Sequence, residues 1–371
     1  MPGIGTAREA AKSSILSRLR WTWLIPLFAL AVLAVRIMTG PNGFIDLISS
    51  AALLAAVFAA VHHAEVIAHW LGEPFGTLVL AIAITIIEVA LIVSVMIAGG
   101  PDKAVLARDT VFATVMLVCN GIIGLCLLAG GMRHHVQDFH VEGARAGLAV
   151  LTTLTVLTLV LPNFTTSAPG PYFNTKQLIF VGIISLILYA AFVFVQTVRH
   201  RDYFLSAHDG DDGSHASLPN SAMATVSVFL LLISLVAVVG IAKTLTPVLE
   251  VFIAGRGIPQ PVVGIVIAAV VLLPEGVAAF RAAQRDRLQT SMNLALGSAL
   301  ASIGLTIPAV AAISVIAGKP LTLGLEVKEE IFLALTLLLS TITLGSGRTT
   351  VLQGVVHLII LGTFLFVAIV P

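Results

Sequence analysis

The sequence predicts an all-α polytopic membrane protein of about eleven transmembrane helices, with two inverted five-helix repeats behind one extra N-terminal helix. Three observations predict it. Of 371 residues, 58% are hydrophobic and only 11% charged, where soluble domains carry roughly a quarter charged. Apolar runs able to cross roughly 30 Å of hydrocarbon, about 20 residues at about 1.5 Å each, recur eleven times between polar breaks. Two acids, Glu88 and Glu275, lie deep inside such runs, five runs apart.

The first run, 21–38, follows a basic N-terminus, MPGIGTAREAAKSSILSRLR; it is about as long as a full span and no small-residue cleavage site follows it, so it reads as a retained helix and not as a signal peptide. The second, 44–68, runs into VHHAEVIAHWLGE, where His62, Glu65 and His69 share a helical face and form a candidate proton path or pH-sensing group. His63 and His69 are six apart, which does not put both rings on one face as a His-Glu-x-x-His zinc helix requires. The third, 75–98, reads AIAITIIEVALIVSVMIAGG from Ala81 on and holds Glu88. In the fourth, 105–130, Cys119 and Cys126 read as small apolar packing residues. The fifth and sixth run over 146–161 and 177–198, with the triplet Asn163-Phe164-Thr165 just after the fifth read as a glycosylation pattern by chance.

A polar loop then divides the chain. Its DGDDG resembles part of a calcium loop but lacks the remaining acidic positions of an EF-hand, so it reads as a solvated linker. The seventh run covers 222–244; the eighth, 259–280, carries Glu275 in IVIAAVVLLPEGVAAF; the ninth covers 291–317. The tenth, 331–344, is short, and the eleventh, 351–370, contains His357, read as packed or pore-adjacent. The organisation expected is an N-terminal segment and extra helix (1–43), a first repeat (44–198), an acidic cytoplasmic linker (199–221) and a second repeat (222–371).

Orientation follows from Lys and Arg, which accumulate on the cytoplasmic side. With the N-terminus inside, twelve basic residues fall on the inner side and eight, five of them Lys, on the outer. The expected location is a bacterial inner membrane. An odd offset, five spans from the one holding Glu88 to the one holding Glu275, sends their helices across the bilayer in opposite directions, as an inverted repeat requires. The segments that follow agree in order: TVFATVMLVCNGIIGL after Glu88, TSMNLALGSALASIGL after Glu275, both opening on Thr and ending in IGL.

A charged carboxylate at mid-bilayer costs about 2.5 to 3.5 kcal/mol on insertion scales, so such groups face protein or water. Two brought together either hold protons or lose them and bind a cation. That exclusion is the basis of an antiporter. Oxygen ligands suit hard ions such as Ca2+ or Na+. Glu88 and Glu275 are the candidate cation- and proton-binding residues. Secondary ligands are Thr85, three residues before Glu88 on the same face; Pro274, which leaves a carbonyl without its helix donor; and Asn120, Ser298 and Ser302.

At these residues the sequence resembles the calcium/cation exchanger superfamily, and within it the bacterial calcium/proton antiporters of the ChaA type. The likeness covers most of the chain. Relatives commonly carry Gly-Asn-Ala-Thr-Glu or Gly-Asn-Ala-Ala-Glu; here ITIIE ends at Glu88 and VLLPE at Glu275, so both glutamates carry over and both asparagines do not. LGSALASIGLTIP, beginning at Leu296, is similar to the family's Leu-Gly-Ser segment, with Ala301 where Gln is usual; Asn120 falls where the first half has an Asn, and Glu65 matches an acid upstream of the first motif. The resemblance implies proton-coupled export of Ca2+, with Na+ and K+ accepted by ChaA-type members. Loss of the amides argues for admission of monovalent ions.

The alternatives are a predominantly monovalent Na+(K+)/H+ antiporter or, less favoured, a passive cation channel, which usually gathers acids into a ring from several subunits. No enzyme chemistry is expected: a Ser-His pair, a paired-aspartate arrangement and a nucleotide loop are all missing. The formal net charge of +1 suggests no nucleic-acid partner. No cofactor is expected; the partners are H+, Ca2+, Na+, K+ and the bilayer.

Overall fold

The computed structural model describes residues 4–72, 75–98, 101–204, 219–318 and 321–370; the DGDDG stretch at 209–213 lies outside them. In chain order the helices are α1 (Ile4–Thr39), α2 (Gly43–Leu71), α3 (Phe75–Ala98), α4 (Leu106–Met116), α5 (Ile123–His134), α6 (Val141–Thr155), α7 (Thr175–Phe194), α8 (Ser221–Ala254), α9 (Pro261–Gln284), α10 (Leu288–Ala301), α11 (Ile307–Ala317), α12 (Val327–Leu344) and α13 (Val351–Ile369). A π turn, Leu117–Ile122, joins α4 to α5, and another, Ser302–Thr306, joins α10 to α11. Each pair is thus one continuous helical segment, giving eleven such segments among the described residues. The fold is an all-α polytopic membrane protein, as expected. Among the described residues ten segments are long and apolar enough to cross a membrane; α12 opens on Lys328, Glu329 and Glu330.

Polar residues set the starts of several helices. Asn42 Oδ1 accepts from Phe44 N at the head of α2, and capping boxes start α7 (Asn174 with Gln177), α12 (Glu326 with Glu329) and α13 (Thr350 with Gln353). Charged first turns explain where two of the helices exceed the apolar runs. The fifth pass begins at Val141 and the tenth at Val327, each several residues ahead of its run, because a charged first turn is helical without being apolar. Helix α8 extends past the expected 244 and continues through Pro247.

The chain divides into two compact units, Met1–Ala83 with Leu218–Glu250, and Ile84–Ser217 with Val251–Pro371. In the first, the extra helix is tied in firmly. α1 packs along α2, Arg36 Nε lies 2.8 Å from Asp46 Oδ1 with both side chains largely buried, and Arg36 Nη2 donates to the Thr244 carbonyl at 3.3 Å.

In the second unit the largest contacts join α5 to α13, α4 to α9 and α9 to α10. Helices α4 and α9 approach closely at Gly264, where a Cβ would meet the Asp109 carbonyl carbon at 2.8 Å. Helices α5 and α13 do so at Gly354, where a Cβ would lie 2.5 Å from Leu128 N. The two-residue strands β1 (Gln137–Asp138) and β2 (Arg348–Thr349) pair antiparallel. Between α11 and α12, residues 321–325 run extended yet wholly buried; Thr322 N, Gly324 N and Leu325 N donate to the carbonyls of Ala104, Pro171 and Leu159. Non-helical backbone in such a protein is tolerated where other protein groups answer it.

Candidate functional site

The apolar run of α3 brings Glu88 into the second unit, where the residue is 1% exposed. The π turn between α10 and α11 supplies its partners. Ser302 Oγ lies 2.5 Å from Glu88 Oε1 and 2.6 Å from Oε2, sharing its hydrogen between them, and Thr306 Oγ1 donates to Oε2 at 2.8 Å. Both hydroxyls sit in the π turn Ser302–Thr306, four residues apart, and thus reach one carboxylate together. Hydrogen bonds to a charged group are worth about 1.5–3 kcal/mol each, which is the scale of the burial cost.

Glu275 is also buried, on α9. That helix packs against α4, α5, α10 and the π turn Leu117–Ile122; a Cβ at Gly276 would lie 3.4 Å from Ile122 Cδ1. The arrangement is reciprocal: the acid of the first half meets the π turn of the second, and the helix of the second acid lies against the π turn of the first. Pro274 does not break α9, which stays α-helical from Pro261 to Gln284. Its effect is confined to one missing N–H, the donor that would otherwise serve the Val270 carbonyl.

The remaining candidates separate. Thr85 is buried one turn before Glu88, and Ser298 is half-buried one turn before Ser302. Asn120 is committed elsewhere: Nδ2 donates to Thr336 Oγ1 at 2.8 Å, and Oδ1 lies 3.0 Å from His357 Nδ1. In the first unit Glu65 and His69 are exposed on α2, with His69 Nδ1 2.7 Å from the Glu65 carbonyl, and His62 is half-buried. The ring the structure buries is instead His63, 3.3 Å from Ser227 Oγ and 3.2 Å from the Thr22 carbonyl.

Three features escape the sequence reading. Thr306 is a second donor to Glu88, spaced as a partner of Ser302. Arg108 and Asp109, adjacent in sequence, form a buried ion pair with Nε and Nη2 each 2.8 Å from Oδ1; Nη1 donates to the Gly324 carbonyl, and the charge of Glu329 acts on both. Asn163, read only as a chance glycosylation triplet, donates to the Leu325 carbonyl and to Glu330 Oε1. Among the described residues no group of three or more His, Cys, Asp or Glu could hold a metal ion.

The family model described as sodium/calcium exchanger protein matches residues 43–198 and 226–370. The candidate ionic transporter y4hA of Sinorhizobium fredii is 49% identical over 356 residues, 95% of this chain and 96% of that one. The sodium-potassium/proton antiporter ChaA of Escherichia coli is 34% identical over 324 residues, 86% and 87% of the two chains. Among solved structures, that of YfkE superposes with a TM-score of 0.73 at 16% identity, covering 94% of this chain and all of that one, a likeness of fold.

Proposed function

Because the chain belongs to the sodium/calcium exchanger protein family, we propose that it is a secondary active antiporter exchanging cytoplasmic Ca2+, with Na+ and K+ also accepted, for external protons at a shared site. Glu88 and Glu275 carry the site, and Thr85, Ser298, Ser302, Thr306 and the carbonyl released by Pro274 assist. The observation that carries this reading is the fully buried Glu88 carboxylate with two hydroxyls from the opposite half of the chain upon it.

A hydroxyl has one hydrogen and two lone pairs. With the site empty of metal, Ser302 and Thr306 donate to Glu88; when a cation enters, the same groups can turn their lone pairs to it. A proton on the carboxyl removes the charge that attracts the cation. Proton and metal therefore compete for the same oxygens, and two carboxylates balance one divalent ion or two protons. Asn120, its amide committed to Thr336 and His357, is not in the proposed ligand set.

A predominantly monovalent exchange is the second reading, favoured by the 34% identity to an antiporter of sodium, potassium and protons and by the missing amides beside both glutamates. Proton release from proteoliposomes on adding Ca2+, Na+ and K+ in turn decides between the two. A passive channel would conduct without a pH gradient. Glu88→Gln and Glu275→Gln should each abolish exchange while leaving membrane insertion intact; normal cation-driven proton release in either variant refutes the shared site.

A further inference from the structure

The two π turns deploy their polar groups in opposite ways. In Ser302–Thr306 they turn onto Glu88. In Leu117–Ile122 the polar group, Asn120, is drawn off toward α12 and α13. Its amide nitrogen donates to Thr336 Oγ1, so the amide oxygen must accept, and His357 Nδ1 at 3.0 Å is the donor. His357 Nε2 lies 3.2 Å from Thr343 Oγ1, and Thr336 Oγ1 lies 3.4 Å from Met116 Sδ. Every member of this network, Met116, Asn120, Thr336, Thr343 and His357, is completely buried. The turn that holds Asn120 also touches the Glu275 helix through Ile122 and Gly276.

Carboxamide oxygens are among the neutral ligands with which Ca2+ completes its shell of about six to eight oxygens. We propose that His357 is a specificity-determining positioning residue: with Thr336 it withholds the Asn120 carboxamide from the transported cation, and so lowers the preference for Ca2+ over Na+ and K+. This rests on the shared-site reading above. The physical lever is the cost of a buried acceptor without a donor. While His357 supplies the donor, the Asn120 oxygen gains little by turning to an ion; without it, a cation is the available partner.

His357→Leu removes the donor and keeps the packing apolar. The ratio of apparent Ca2+ affinity to apparent Na+ affinity should rise about tenfold, about 1.4 kcal/mol of ligand energy. His357→Asn, which retains an N–H near the position of Nδ1, should keep the wild-type ratio. Adding Asn120→Ala to His357→Leu should cancel the gain. The ratio is read both by proton release from proteoliposomes and by ion-dependent thermal shift of purified protein, which needs no transport. An unmoved ratio in His357→Leu, or a gain that survives in the double variant, overturns the proposal. Should His357→Leu fail to fold, His357→Phe decides instead: it keeps an aromatic ring without a donor and should move the ratio the same way, and no movement overturns the proposal. Exchange intact in Glu88→Gln would bring down the shared site and this inference with it; a static ratio beside an inactive Glu88→Gln brings down this inference alone.

Discussion

At Glu88 a carboxylate sits in surroundings that would cost an unanswered charge several kcal/mol, and two hydroxyls answer it. Removing either, by Ser302→Ala or Thr306→Val, should weaken apparent cation affinity about tenfold to a hundredfold, the equivalent of about 1.5–3 kcal/mol. The cation dependence of proton release measures it, and an unchanged half-saturation in both variants would remove these hydroxyls from the site. Glu88 was legible because an acid in an apolar run is too costly to serve packing alone, and Ser302 because it lies in a segment that resembles relatives. Thr306 carried a signal too, its four-residue spacing from Ser302. The capture of Asn120 by His357 carried none, since 237 residues separate them and no local pattern reports a partnership between distant passes.

Among the elements, the pairing of α4 with α9 depends on the missing side chain at Gly264. Gly264→Leu would drive a branched group into the Asp109 backbone, an overpacking cost of about 1–3 kcal/mol or more; the melting temperature of the purified protein should fall, and an unaltered one would show that α4 and α9 do not pack there. The order of the helical segments, and ten of the eleven as membrane-length spans, could be read from hydropathy alone, because a bilayer demands about 20 apolar residues per crossing. Their limits could be read where the helix itself is apolar to its end, as for α3 (Phe75–Ala98) and the start of α13 at Val351. They could not where polar residues open a helix or a proline lies within it: the capping box at Glu326 starts α12 ahead of its run, and α8 continues through Pro247 beyond the expected end.

For the molecule as a whole, the distribution of Lys and Arg in the sequence predicts the N-terminus inside, and eleven crossings would then place the C-terminus outside. Single cysteines introduced at Pro2 and Pro371 should react with a membrane-impermeant reagent from opposite sides; labelling of both from one side overturns the orientation. Deleting Asp209 to Gly213 should leave basal exchange within about twofold, as expected of a solvated linker, and complete loss of flux would assign that loop a part in transport. The π turn at Ser302–Thr306 has a structural consequence of its own. Such a turn accommodates one residue beyond ordinary α-helical winding, and each residue of an α-helix advances about 100° around the axis. Rewinding this stretch to regular geometry with Ile303 kept would swing all of α11 by that angle and carry the Thr306 hydroxyl off the carboxylate, whereas excising Ile303 would close the bulge with α11 in place, leaving composition and hydropathy almost unaltered. A one-residue frame in a lipid-embedded helix thus decides whether the two halves of the chain meet at Glu88.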